Sequence, residues 1–479
     1  MTHIRTRFAP SPTGFMHVGN LRTGLFAYLT AKNADGTFIL RLEDTDKSRE
    51  VEGSADHIKE CLKLLGLQWD EGIDIGGPHA PYQQSQRLEI YKQWAQKLID
   101  SGRAYADPYT PAEVQAFREA AQKEKRAFLY RTHRPENPPT WDGTTPLRFK
   151  SEPKAYEWND DVMGSLKTGP EVVDDFILIK SDGYPTYNFA HIVDDAEMQV
   201  THVIRGQEFL SSQPNYMNLY EALGLQAPIF ATMPHIMNEQ GNKKLGKRDG
   251  AKDVLDYVRE GFLPETLLSF IATLGWNDGT EQELFTHAEL IEKFSLSRVQ
   301  KSGARFDEKR LLWMNGQFIR SLTLEDLESR AAAFWPVSAS SSDESYKRRV
   351  LALAQDRLKT LTDLPALASF FFDEPASDLE LITGNKQLSK LDTADVVQLL
   401  KTCAAALRDT NDWTAEAIQQ TLNTLLETTG QKPGTLFSLV RIATTWAPFS
   451  PQLNDTLELL GKDRSLARID QAATLLNQA

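Results

Sequence analysis

The chain has 479 residues, 41% of them apolar and 25% charged, and a net charge of −13. Such a length exceeds what one hydrophobic core serves, so three or four domains are expected, and the composition excludes a disordered chain. The densest apolar run, Ala366 to Phe372, is far shorter than the roughly 18 residues of a membrane span, and Met1-Thr2-His3-Ile4-Arg5 leads straight into structured-looking sequence without a signal-peptide core.

Ile4 to Phe8 reads as a strand, followed by the loop Pro10-Ser11-Pro12-Thr13-Gly14 and a helix with Leu21, Leu25, Tyr28 and Leu29 on one face. Phe38 to Leu42 is a second strand, ending in the acidic run Glu43-Asp44-Thr45-Asp46. An amphipathic helix from about Ala55 to Leu65 closes at Gly66. Cys61 shares its apolar side with Ile58, Leu62 and Leu65, the position of a buried thiol. With Cys403 as the only other cysteine, the chain has no disulfide framework and cannot build a zinc site from cysteines alone, which fits a reducing cytoplasm. Strand, helix, strand, helix implies a parallel sheet covered on both faces.

From 103 to 180 the prolines Pro135, Pro138, Pro139, Pro146 and Pro153 break the pattern. An inserted α+β module is expected there, between sheet-domain halves at 1–102 and 181–255. Within it, residues 115–150 carry Arg118, Lys123, Lys125, Arg126, Arg131, Arg134, Arg148 and Lys150 against only Glu119, Glu124, Glu136 and Asp142. Phosphate binding needs such a local basic surface rather than a basic total, although a solvated helix face has the same composition. Buried-strand patterns return at Phe176 to Ile179, Tyr187 to Val193 and Val200 to Ile204. Beyond about 255 strand signals fade. Residues 256–320 read as a connecting domain and 321–479 as helices, with the serine-rich Val337 to Glu344 as a mobile loop.

In open parallel sheets ligands bind where strands end and helices begin. Phe8 to Arg22 is such a junction, and backbone N–H groups at the helix start favour phosphate or carboxylate. Gly19 leaves room for a flat adenine, and His17 can donate a hydrogen bond to a phosphate as charge builds on it. Alone, these residues equally describe a capping histidine and a turn glycine. Lys243-Lys244-Leu245-Gly246-Lys247-Arg248 sets four cations around a glycine. They repel one another unless an anion joins them, and charge-assisted bonds to a triphosphate are worth about 1.5–3 kcal/mol each. An exposed basic turn is the alternative.

In order, Phe8-Ala9-Pro10-Ser11-Pro12-Thr13-Gly14, His17-Val18-Gly19-Asn20 and Lys244-Leu245-Gly246-Lys247-Arg248 resemble the two signatures of class I aminoacyl-tRNA synthetases. Leu40 to Asp46, Asp182 to Ala190, His202-Val203-Ile204-Arg205-Gly206 and Leu312-Trp313-Met314-Asn315 narrow the resemblance to bacterial glutamyl-tRNA synthetases, over the whole chain and most strongly over 1–320. The resemblance implies a Rossmann-like parallel-sheet catalytic domain (α/β) with its insertion, followed by all-α C-terminal domains. It implies ATP-dependent attachment of L-glutamate to the 3′ end of tRNA(Glu) through glutamyl-adenylate, releasing pyrophosphate and AMP, with Mg²⁺ arriving on ATP. Residues 103–180 would hold the acceptor end, 256–320 the stem, and 321–479 the anticodon. Arg7 and Arg205 would meet the carboxylates of glutamate, with Arg205 on the side chain; Ser11 and Glu43 would take the amino group, and Tyr187 would shape the pocket. His17, Gly19, Asn20, Lys244, Lys247 and Arg248 would serve ATP, and Arg357 would read the last anticodon base. A cytoplasmic monomer without membrane contact is implied as well. Charging of tRNA(Gln), a glutaminyl-tRNA synthetase and a non-catalytic tRNA-binding relative remain open at this point.

Two departures stand out. Serine is usual where this chain has Gly246, which removes a hydroxyl and makes the loop costlier to order. The stretches Ala104 to Tyr109 and Tyr130 to His133, where some relatives bind zinc, contain no cysteine, so no zinc is expected.

Overall fold

The computed structural model describes residues 3–246 and 252–478; Lys247 and Arg248 lie outside them. The chain divides into two units, Met1–Tyr257 with Pro264–Glu308, and Val258–Leu263 with Lys309–Ala479.

The first unit opens with β1 (Arg5–Phe8), α1 (Val18–Asn33), β2 (Thr37–Leu40), α2 (Ser54–Leu64), β3 (Glu71–Gly72) and α3 (Leu88–Asp100). Next come β4 (Ala104–Ala106), α4 (Pro111–Lys123), β5 (Leu147–Phe149), β6 (Tyr156–Asp160), β7 (Gly164–Thr168) and β8 (Ile177–Ile179). The central stretch ends with α5 (Tyr187–Glu197), β9 (His202–Gly206), α6 (Gln213–Ala222), β10 (Ile229–Met233), β11 (Ile236–Met237) and α7 (Val254–Arg259). Among the described residues the main sheet has seven strands in the order β3-β2-β1-β9-β10-β6-β7. All its neighbours are parallel except β6 and β7, a hairpin that extends one edge. Chain order runs outward from β1 through β2 on one side and from β9 through β10 on the other, so the sheet changes direction between β1 and β9. That switch point is where an open sheet leaves a crevice at its strand ends.

Helix α1 lies against β1 with Leu21, Leu25, Phe26 and Leu29 fully buried. Gly24 permits the close approach, since a Cβ there would sit 3.2 Å from the Phe8 ring. A second sheet, β4-β5-β8, is antiparallel, so Phe176 to Ile179 does form a strand, but outside the main sheet. Tyr187 to Val193 is not a strand: it begins α5. Its run of apolar residues is buried on several sides, which a strand pattern shares, but Tyr187, His191, Asp194 and Asp195 recur at helical spacing.

The second unit is helical among the described residues. One core gathers Leu263, Ile319, Leu327, Val350, Leu364 and Phe371, and another gathers Leu400, Cys403, Leu422, Leu439, Leu457 and Ile469. Val337–Ser341 forms a short 3-10 helix with Ala339 buried, where the serine content suggested a mobile loop. Arg357 is exposed at the end of the 3-10 turn Gln355–Arg357; burial, then the charge of Arg357, lowers the pKa of Arg441 nearby. Among the described residues no helix is long and apolar enough to cross a membrane.

Candidate active site

At the switch point a cavity of about 260 Å³ is lined by Arg7, Ser11, Asn20, Glu43, Tyr187 and Arg205, among others. Six sequence-predicted residues therefore meet, although they come from positions as far apart as 7 and 205. The fold explains the meeting. Arg7 and Arg205 stand next to last in the adjacent strands β1 and β9, and Tyr187 opens α5.

The floor of the cavity is a buried charge network that the sequence did not disclose. Arg7 Nε donates to both Asp195 oxygens at 3.1 and 3.3 Å, and its Nη1 donates to the Ile204 carbonyl at 3.3 Å. Arg41, fully buried, donates to Asp195 Oδ1 at 2.7 Å and to Glu43 Oε1 at 2.9 Å. Beside it Asp194 accepts from Arg87 at 2.7 Å, from Gln84 at 2.8 Å and from the Tyr91 hydroxyl at 2.9 Å. Burial works to raise the Asp195 carboxyl, but Arg7 and Arg41 outweigh it and bring it down to about 2. At Glu43 burial prevails over Arg41 and Arg7, and the carboxyl is raised.

Arg205 is buried among the rings of Phe209, Tyr216 and Phe230, each centred 5.0–5.5 Å from its guanidinium. Its Nη2 donates to Gln213, while its buried Nη1 has no hydrogen-bond partner among the described residues. A buried donor left unmade costs about 1–3 kcal/mol, more when charged, so this edge of the pocket is built for an anion. Tyr187 stacks between His191 and Phe209, with centroids 4.7 and 5.0 Å away. Burial, reinforced by the charge of Arg205, lowers the His191 imidazole to about 3, so it is neutral at pH 7.

The other side of the crevice is more open. His17 caps α1, its Nδ1 accepting from the Gly19 N–H at 3.1 Å, which puts the ring proton on Nε2. A Cβ on Gly19 would come within 3.1 Å of the His17 ring, so glycine is what lets the ring lie over the helix start. Asn20 is exposed. Lys244 is exposed in a turn where Leu245 N–H donates to Ile236 at 2.8 Å and Asn238 N–H to Lys243 at 2.9 Å. It does not line the cavity but lies near His235, whose imidazole burial and the Lys244 charge lower. Lys247 and Arg248 are outside the described residues.

In the 103–180 stretch, two carboxylates tie the segments together. Asp107 accepts from Tyr130 at 2.6 Å and Arg148 at 2.7 Å; Asp175 accepts from Tyr105 at 2.9 Å, Arg134 at 2.6 Å and Ser151 at 2.7 Å. Arg134 and Arg148 are thus engaged internally, while Arg118, Lys123, Lys125 and Arg126 are exposed on or just after α4.

The family described as tRNA synthetases class I (E and Q), catalytic domain, matches residues 3–313, and an anticodon binding domain family matches 323–473. A glutamate–tRNA ligase of Clostridium kluyveri is 39% identical over 98% of this chain and 97% of its own length. That of Exiguobacterium sibiricum is 38% identical over 98% of this chain and all of its own. The crystal structure of a glutamate tRNA ligase from Elizabethkingia meningosepticum, in complex with its amino acid, superposes with a TM-score of 0.86 at 32% identity, covering 99% of each chain. With a switch-point crevice of two arginines and one glutamate, and likeness along nearly its whole length, the chain belongs to the glutamate–tRNA ligase family of class I aminoacyl-tRNA synthetases.

Proposed function

We propose that the chain charges tRNA(Glu) with L-glutamate in two steps in the switch-point crevice. The observation that carries the reading is the set of charges lining this one cavity: Arg7, Glu43, and Arg205, whose buried Nη1 has no hydrogen-bond partner among the described residues. This complements a molecule with two carboxylates and one ammonium. Arg205 takes the side-chain carboxylate. Glutamine would leave its buried cation uncompensated, which is the basis of discrimination. Glu43 and Ser11 receive the ammonium, and Tyr187 closes the pocket wall.

In the first step the α-carboxylate oxygen of glutamate bonds to the α-phosphorus of ATP and the bond to the β-phosphate bridging oxygen breaks. Pyrophosphate leaves and no side-chain nucleophile takes part. The work is positioning and charge stabilisation. His17 and Asn20 steady the phosphates from one side, Lys244 and Lys247 from the other, with Arg248 nearby and adenine against Gly19. Mg²⁺ enters as part of the substrate MgATP. In the second step a hydroxyl of the terminal tRNA ribose attacks the glutamyl carbonyl, and AMP leaves. Residues 103–180 hold the acceptor end, 256–320 the stem, and 321–479 the anticodon, where Arg357 contacts the last base. The 103–180 module holds together without zinc, because Asp107 and Asp175 already join its segments. The protein works as a cytoplasmic monomer.

The test is charging of purified tRNA(Glu) and tRNA(Gln) with labelled glutamate and labelled glutamine, with Lys247→Ala as control. Glutamate on tRNA(Glu) alone is the expected result, and the control should lose on the order of 10²–10³ in rate. Glutamate on both tRNAs would make the enzyme non-discriminating, and no charging with tRNA still bound would refute the catalytic reading.

A further inference from the structure

Behind the His17 turn lies a polar pair that the mechanism above does not use. His57, the fourth residue of α2, has a side chain only 10% exposed, and Asp253, just before α7, one 17% exposed. The His57 Nε2–H donates to Asp253 Oδ1 at 2.8 Å, while Nδ1 accepts from the Met16 N–H at 3.3 Å. The assignment follows from the partners: an amide can only donate and a carboxylate only accept, so one neutral tautomer serves both. The His57 ring also packs 4.7 Å from that of Phe15. Asp253 Oδ1 accepts a second bond from Leu255 N–H at 2.9 Å, its backbone bridges to His17, and Val254 N–H donates to the Met16 carbonyl at 3.1 Å. One imidazole therefore touches the segment that carries the first signature and the segment that follows the second.

We propose that His57 and Asp253 form a clasp that holds His17 in register with the chain leaving the Lys-rich signature, so that His57 is a positioning residue for the phosphate half of the reaction. The proposal rests on the reading of His17 as a phosphate-binding group. Its consequence is selective. Loss of the clasp displaces the residues that meet ATP, while the Arg7–Asp195–Arg41–Glu43 network shares no member with it. Cys61 brings a third ligand atom within 4.8 Å, yet its sulfur stands 3.7 and 3.8 Å from the two ring nitrogens, favouring neither, and Nδ1 is already engaged by Met16. Hydrogen bonding, not metal binding, accounts for this geometry.

The test compares His57→Ala, Asp253→Ala, the double variant and Asp253→Asn as full-length proteins in ATP–pyrophosphate exchange with tRNA present, alongside thermal melting and zinc analysis. Either alanine variant should raise KM for ATP and lower kcat, together by about tenfold or more, as small misplacements do. KM for glutamate should stay within about twofold. The double variant should be no worse than the worse single one, and Asp253→Asn, which keeps the acceptor oxygen, should recover most of the activity. Additive losses, an equal rise in both KM values, a lowered melting temperature with unchanged kinetics, or stoichiometric zinc that Cys61→Ser removes would each overturn the clasp. His17→Ala separates the two readings. Normal exchange in that variant refutes the phosphate-binding role itself, whereas a dead His17→Ala beside a normal His57→Ala refutes only the clasp.

Discussion

On the proposed glutamate side of the crevice Arg7 and Arg41 are buried and joined through Asp195, with Glu43 bonded to Arg41; on the proposed phosphate side Asn20 and Lys244 are exposed, and Lys244 has no ion-pair partner among the described residues. The difference follows from what each side must distinguish. Glutamate and glutamine differ by one charge at the side-chain end, so the receptor must be rigid and dry enough that a missing charge is costly. A triphosphate is recognised by its large charge, and solvated lysines suffice to attract it. On the function proposed above, selectivity resides in the buried network, while Lys244 on the phosphate half stays solvated until the substrate arrives.

The strongest way to break this contrast is to remove the shared carboxylate. Asp195→Ala leaves Arg7 and Arg41 buried without their common partner and should cost about 3–5 kcal/mol of stability in chemical denaturation. Lys244→Ala should change stability by less than about 0.5 kcal/mol. Equal effects would show that the two sides are held alike.

Next in size is the exchange of a single charge. Arg205→Gln should lower kcat/KM for glutamate by about 10²–10³, since the lost interaction is charged and buried, with little change in KM for ATP. In Lys244→Ala the larger change should fall on ATP. A variant at Arg205 that weakens ATP binding equally would contradict the division.

A smaller effect comes from His191 beneath Tyr187. Its imidazole is lowered to about 3 when folded, so below pH 6.5 the unfolded chain binds a proton that the folded chain refuses. The associated stability is complete above that pH and is lost as pH falls toward 3. Between pH 7.5 and 5 the loss should be about 2 kcal/mol. His191→Phe, which keeps the stacking but cannot titrate, should flatten this part of the curve in denaturation measured across pH.

How far the sequence could be read depended on whether the determinant was local. β1, α1, β2 and α2 were legible from period and punctuation within a few residues. The α5 segment was misread as a strand because burial on several sides hides the polar stripe that marks a helix face. The site residues came from motif resemblance, and the network beneath them could not have come from spacing: Asp195 lies 188 residues from Arg7 and 154 from Arg41, and Asp194 lies 107 from Arg87. The one available hint was a buried-looking Arg41 inside an apolar strand run, which implies an unseen acid. His57 and Asp253, 196 residues apart, gave no hint at all.

The smallest predicted effect concerns the exposed side. Gly246 directly follows Leu245, whose N–H is held by Ile236, so it is the last described residue before the Lys247 segment. A glycine there leaves the unbound turn more backbone freedom to lose when it gathers around the phosphates, and it lacks the hydroxyl that serine offers an anion. Gly246→Ser should therefore speed adenylate formation in ATP–pyrophosphate exchange, by up to about tenfold if the hydroxyl adds one ordinary hydrogen bond. Melting temperature and KM for glutamate should stay as they are, because the glutamate-side network is untouched. An unchanged kcat would mean that ordering this turn does not limit the chemical step, and that the phosphate side, for all its exposure, is already positioned before ATP binds.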